Sequence, residues 1–195
     1  MIAIVDYGAG NISSVKKAFE HLGASVQVTS DPVVIASAEK VVVPGVGHFN
    51  RCEFLNERLR LPVMEAVKQG KPFLGICVGM QWLFAGSTEA PGTPGAALFA
   101  GECSRFPAEV KSPHVGWNQI DVREGSRLLR GIENGAFVYY THCYRAPLVP
   151  ETVASSGYGG EFSAAVERDN VFGVQFHPEK SGDTGLMLLE NFCEL

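Results

Sequence analysis

The stretch Gly75-Ile76-Cys77-Val78-Gly79-Met80-Gln81 constrains this chain more than any other. One cysteine stands between two glycines, after the apolar run Pro72–Ile76 and before a run compatible with a helix. A residue held on a sharp strand-to-helix turn tolerates only small neighbours, because larger ones collide with the tight backbone. Such a turn presents the sulfur and aims backbone N–H groups at whatever the sulfur attacks. Since only the thiolate attacks well, Cys77 needs help in losing its proton. The N-terminus of the following helix and a protonated histidine are the two available sources.

The histidine is found a hundred residues on, in Gln175-Phe176-His177-Pro178-Glu179. His177 can pair with the thiolate and later protonate a leaving amine. Glu179 follows at i+2, which in an extended chain points to the same face and can fix the imidazole tautomer. Pro178 is expected to keep the segment extended. An attacked carbonyl also needs an oxyanion site. Val78 N–H is the first donor, and the loop Pro44-Gly45-Val46-Gly47 is the candidate for the second.

Hydrophobic periodicity supplies the frame. Ile2–Asp6, Ser25–Thr29, Val41–Val43 and Pro72–Ile76 read as short apolar strands. Between the first two, Ile12, Val15, Phe19 and Leu22 share a helical face that ends at Gly23. Asp31-Pro32 reads as an N-cap with proline at the first helical position, and Pro62 and Gly70 bracket a later helical segment. Strands alternating with helices predict an α/β sandwich, with a mostly parallel sheet covered on both faces. Residues 86–97 are rich in Gly, Pro, Ser and Thr and read as a surface loop. Strand-like pieces follow at Trp117–Val122, Ala136–Tyr140, Thr152–Gly157, Ser163–Glu167 and Val171–Phe176, then a helix at Thr184–Phe192. No linker intervenes, so residues 1–195 read as one domain whose second half is a β-rich extension of the same sheet.

Composition narrows the partners. A net charge of −5 without a Lys/Arg stripe argues against nucleic acid. The uncharged stretch from Phe73 to Ser87 is shorter than the roughly 20 apolar residues of a spanning helix, and glycines interrupt it. The start Met1-Ile2-Ala3-Ile4-Val5-Asp6 lacks a basic n-region, so the expected location is cytoplasmic, with no membrane contact. Five scattered cysteines, with no Cys-x-x-Cys, form neither a disulfide framework nor a zinc ribbon. Most read as small buried hydrophobes in a reducing compartment. His48 and Cys52, four apart, lack further paired ligands, so no metal site is expected. Gly8-x-Gly10 lacks the third glycine of a dinucleotide fingerprint, Ser13 standing there, and reads as a structural turn.

Together, Gly75-x-Cys77-x-Gly79-x-Gln81 and His177-Pro178-Glu179, in that chain order, resemble the class I, or triad, glutamine amidotransferases. Finer marks are similar to the branch of that family that serves histidine biosynthesis. These are Asp6-Tyr7-Gly8-x-Gly10-Asn11, Pro44-Gly45-Val46-Gly47, His114-Val115-Gly116-Trp117-Asn118, Tyr139 to Tyr144, and Gly173 to Ser181. The likeness runs the length of the chain. It implies the family's flavodoxin-like sandwich, with Cys77, His177 and Glu179 as catalytic triad. It implies a glutaminase in which Cys77 attacks the side-chain amide of glutamine, forms a glutamyl thioester and releases ammonia. Gln81 and Gly47 would help seat glutamine, along with backbone near His142 and Cys143, and Val46 and Val78 belong to the oxyanion site. Ammonia would pass to a (β/α)₈-barrel synthase subunit in a heterodimer, with Asn11, Trp117 and Lys180 at or near the partner surface, and no cofactor would be needed.

Other readings are weighed against this one. Another class I glutaminase, such as one serving pyridoxal phosphate synthesis, shares the same marks. A non-catalytic regulatory subunit would keep the fold without the chemistry, and the intact triad argues against it. Cysteine peptidases and redox chaperones of related topology commonly place a histidine after the nucleophile, where Val78 stands here.

Overall fold

The computed structural model describes residues 1–195. The strands are β1 (Ile2–Val5), β2 (Val26–Thr29), β3 (Lys40–Gly45), β4 (Phe73–Cys77), β5 (Ser104–Arg105), β6 (His114–Gln119), β7 (Asp121–Val122), β8 (Phe137–His142), β9 (Tyr144–Arg145), β10 (Thr152–Gly157), β11 (Glu161–Arg168) and β12 (Val171–Val174). The helices are α1 (Ile12–His21), α2 (Pro32–Ser37), α3 (Cys52–Phe54), α4 (Arg60–Lys68), α5 (Val78–Gln81) and α6 (Gly182–Glu194). No helix is long and apolar enough to cross a membrane.

Eight strands form the main sheet in the order β2-β1-β3-β4-β12-β11-β10-β7. The first five run parallel, and β11, β10 and β7 continue it antiparallel. β1, β3, β4 and β12 are buried at nearly every residue, as strands covered on both faces must be. The chain moves from β1 outward to β2, then crosses back over β1 to β3. Right-handed crossovers therefore place α1 and α2 on opposite faces. α1 packs with α6, through Phe19 and Phe192 at 6.2 Å between ring centroids, whereas α2 packs with α4. The carboxyl ends of β3 and β4 lie side by side, with Gly45 opposite Cys77. In such sheets this edge is where ligands bind.

Several local expectations hold. The Asp31 side chain accepts the Val33 N–H and Pro32 opens α2. α1 stops at His21, and Gly23 takes φ +76°. Others are corrected. Pro62 does not open a helix but lies inside a continuous helical stretch from Phe49 to Lys68. A π-helical turn at Leu55–Leu59 directly precedes α4, widening the ladder where proline cannot donate. The piece read as one strand from Trp117 to Val122 is two, parting at the buried Ile120. β7 joins the main sheet, whereas β6 pairs only with β8 as a separate ribbon. The second half therefore extends the sheet but also builds a flap beside it. Residues 86–97 are not a free surface loop. Ser87, Thr93 and Ala96 are buried, and Glu53, Asn56 and Arg60 of the helical stretch bind Thr93 Oγ1, the Pro94 carbonyl and the Gly95 carbonyl.

Asn170 closes the loop before β12 onto the end of α4. Its Nδ2 donates to the carbonyls of Val67 at 2.8 Å and Lys71 at 2.7 Å. Asn170→Ala leaves both carbonyls without that donor and should lower unfolding free energy by about 1–3 kcal/mol. Urea denaturation with an unchanged m-value checks this.

Candidate active site

Cys77 adopts φ +53°, ψ −105°, a strained conformation for a residue with a Cβ. Holding it there costs about 1–3 kcal/mol, which the surrounding packing must offset. The turn survives because its neighbours are glycines with no room for more. A Cβ on Gly79 would sit 1.8 Å from the Val43 carbonyl oxygen, and one on Gly75 would meet the Gly79 carbonyl oxygen at 2.5 Å. Gly45 is equally confined, with Val78 Cβ and Tyr7 Oη each 2.6 Å from the place its own Cβ would take. α5 has only four residues, so its dipole is short.

His177 emerges just beyond β12, the neighbour of β4, and is 1 % exposed. Its Nδ1 lies 2.9 Å from Glu179 Oε1, and both side chains are buried. The contact is made differently from the sequence reading. Pro178–Lys180 form a 3₁₀ turn, and only His177 itself is extended, so the carboxylate curls back under the ring instead of running parallel to it. Burial lowers the His177 pKa. The closeness of Cys77, followed by Glu179, outweighs that and holds it up at about 10. Nε2 makes no aligned hydrogen bond in this resting state, as is common before substrate tightens a site. The raised pKa favours the charged form of the ring beside the sulfur.

A cavity of about 260 Å³ opens over Cys77. Val46, Gly47, Val78, Gln81, His142 and Cys143 all line it, so every residue singled out for the oxyanion site or glutamine seat is gathered there. Gly47 has φ +111°, and neither Val46 nor Gly47 N–H is bonded within the protein. His142 and Cys143 both reach the cavity although adjacent, because β8 ends at His142. The sequence reading missed Glu89, Pro113, Thr141 and Tyr144 in the wall. Glu89 lies in the stretch read as surface loop, and its carboxylate accepts the Phe49 N–H at 2.8 Å. A larger, polar cavity of about 860 Å³, lined by Asp6, His48, Arg51 and Glu53 among others, does not include Cys77.

Three of the other thiols are poorly placed to compete, whereas Cys143 lines the same cavity as Cys77. Burial pushes Cys52 up to about 12 and raises Cys103 and Cys193. His48 caps its own turn, Nδ1 accepting the Asn50 N–H. Of the remaining candidates, Asn11 Nδ2 lies 3.3 Å from Glu179 Oε1. Trp117 is 55 % exposed and packs edge-on against Tyr139, and Lys180 Nζ lies 5.8 Å from the same tyrosine ring.

Comparison with known proteins shows the family. The family model "Glutamine amidotransferase class-I" matches residues 3–195. A protein of Thermococcus kodakarensis named "Imidazole glycerol phosphate synthase subunit HisH" is 49% identical over 201 residues, covering 100% of both chains. One of the same name from Methanothermobacter thermautotrophicus is 47% identical, covering 100% of this chain and 98% of that one. Among solved structures, one described as a glutamine amidotransferase aligns with TM-score 0.76 at 18% identity, over 99% of this chain and 100% of that one. The structure of PurLQS from Thermotoga maritima aligns with TM-score 0.74 at 20% identity, over 99% and 97%. The fold is that of a class of glutamine-hydrolysing α/β enzymes. This chain belongs to the class I glutamine amidotransferase family.

The cavity wall also carries a pH dependence. His142 and His114 are buried in an aromatic cluster, their rings joined at 3.2 Å between Nε2 and Nδ1. Burial lowers His114 to about 4 and His142 to about 3. The unfolded chain binds these protons near pH 6.5, so stability is complete above that value and is lost as pH falls toward 3. His177 behaves oppositely, its contribution being complete below about 6.5 and fading as pH rises through 10. In His114→Gln the loss of stability between pH 6.5 and 4 should be shallower than in the wild type. Urea midpoints across that range check this.

Proposed function

We propose that this chain is one domain, residues 1–195, and acts as the glutaminase subunit of an imidazole glycerol phosphate synthase. The observation that carries the reading is the buried His177–Glu179 pair behind Cys77, whose sulfur opens on a cavity lined by backbone with free N–H groups. The full-length relatives bearing that enzyme's name support the choice within the family.

The Cys77 thiolate attacks the side-chain amide carbon of glutamine. The developing oxyanion is met by Val78 N–H and by one N–H of the Val46–Gly47 segment. The C–N bond breaks as His177 gives its proton to the departing nitrogen, releasing ammonia and leaving a glutamyl thioester. His177, now neutral, takes a proton from water, which attacks the thioester and frees glutamate. Glu179 holds the imidazole and stabilises its charge throughout. Gln81 Oε1, which makes no bond within the protein, faces the substrate with His142 and Cys143, and Glu89 supplies the countercharge for its α-ammonium. Every step uses groups of the chain itself, so no cofactor or metal is invoked.

Ammonia passes to a (β/α)₈-barrel synthase subunit in a cytoplasmic heterodimer. There it is built into imidazole glycerol phosphate, with an aminoimidazole carboxamide ribotide as the second product of this step of histidine biosynthesis. Asn11, Trp117 and Lys180 lie at or near the docking face. Asn11 touches the carboxylate of the triad, which gives the docked partner a direct means of acting on it. No part of the reading calls for nucleic acid or membrane.

Glutaminase activity should be low for the chain alone and rise strongly with the barrel subunit and its nucleotide-like ligand. Cys77→Ala should lose on the order of 10³-fold or more of the stimulated activity while still binding the partner. Full activity in that variant removes the mechanism. Ammonia release with and without the partner, together with a pull-down, gives the answer.

A further inference from the structure

Gln175 has so far played no part in the chemistry, yet its side chain is fully buried beside the nucleophile. Its Nε2 lies 3.7 Å from Cys77 Sγ. Which end of this amide faces the sulfur is fixed by a chain of partners. The Tyr144 carbonyl can only accept, so the Gln81 atom 2.8 Å from it is Nε2. That same nitrogen lies 3.2 Å from Gln175 Oε1 and donates to it. The other end of Gln175, its NH₂, is thereby turned toward Sγ. The reverse orientation would set two NH₂ groups against each other and point a carbonyl oxygen at a thiolate.

We propose that Gln175 is a catalytic residue that donates a hydrogen bond to the Cys77 thiolate, stabilising it alongside His177. The assignment rests on Cys77 being the nucleophile of the proposed glutaminase reaction. The protein thus surrounds the sulfur with two donors of different kinds, an imidazolium that also delivers a proton and a neutral amide that keeps its own. A donor to the charged form favours ionisation, and donors to ionised acceptors are the stronger hydrogen bonds. The amide is rigid because Gln81 grips its oxygen, and Gln81 is in turn held by the Tyr144 carbonyl. The other titratable groups around the sulfur are His177 with Glu179, Tyr7 behind the turn, the buried Cys103, and Glu89, His142, Cys143 and Tyr144 in the cavity wall. None of these is altered by substituting Gln175.

The test is the pH dependence of Cys77 alkylation by iodoacetamide in the full-length chain, read by peptide mass spectrometry so that the other cysteines do not interfere. Gln175→Leu removes the donor. Gln175→Glu keeps an oxygen for Gln81 but puts a carboxylate beside the sulfur, and it carries the test if the leucine variant does not fold. The Leu variant should shift the profile up by about one pH unit and react about tenfold more slowly at neutral pH, and the Glu variant should shift further. With the partner present, kcat should fall while KM stays within about twofold. Folded variants with the wild-type profile overturn the role of Gln175 and leave the glutaminase reading intact. A wild-type Cys77 that is inert across the whole pH range overturns both.

Discussion

The structure depends on one close approach, that of Gly79 to the carbonyl of Val43. It seats the start of α5 directly on β3, with no space for a methyl group. That contact holds the β4–α5 turn in place, and the turn forces Cys77 into a left-handed conformation that its side chain disfavours. Once Cys77 is fixed there, the geometry around it follows. The end of β3 becomes one wall of the cavity, β12 delivers His177 from the other side, and the flap of β6 and β8 closes the third side with His142. Glycine at positions 45, 75 and 79 is therefore a condition for the nucleophile to exist, because each place a Cβ would occupy is already filled.

The electrostatics rest on that geometry. A histidine as buried as His177 would ordinarily be neutral, as His114 and His142 are in the same region. Its pKa is instead held up, first by Cys77 and then by Glu179, which flank it. Burial lowers all three histidines, and the deciding difference is whether an acidic partner stands within reach. Burial raises Cys52 and Cys103 in the same way, and their acidic neighbours Glu89 and Glu102 raise them further.

Much of this was legible in the sequence, because short-range signals carried it. The glycine-flanked cysteine, the His-Pro-Glu segment, the apolar runs of β1, β3 and β4, and the Asp31-Pro32 helix start are all local patterns. What escaped notice depended on distant partners. Residues 86–97 have the composition of a free loop, yet Glu53, Asn56 and Arg60 pin them down, and this brings Glu89 into the cavity. Pro62 marks a helix start by rule, but a π turn lets the helix run through it. The contact between His177 and Glu179 was foreseen, but with the wrong backbone, since the 3₁₀ turn at Pro178 does what an extended strand was expected to do. Gln175 stood in the quoted motif without a role, because only the folded chain shows which end of its amide meets the sulfur.

The central claim is that this strained turn makes Cys77 the atom to which the substrate becomes covalently joined. Acid-quenched mass spectrometry during glutamine turnover, with the barrel subunit docked, tests it most directly. The expected result is a glutamyl group, glutamine less ammonia, on the peptide carrying Cys77, building up when water attack is slowed. Steady ammonia release with no adduct on that peptide, or with the adduct on another cysteine, would contradict the account.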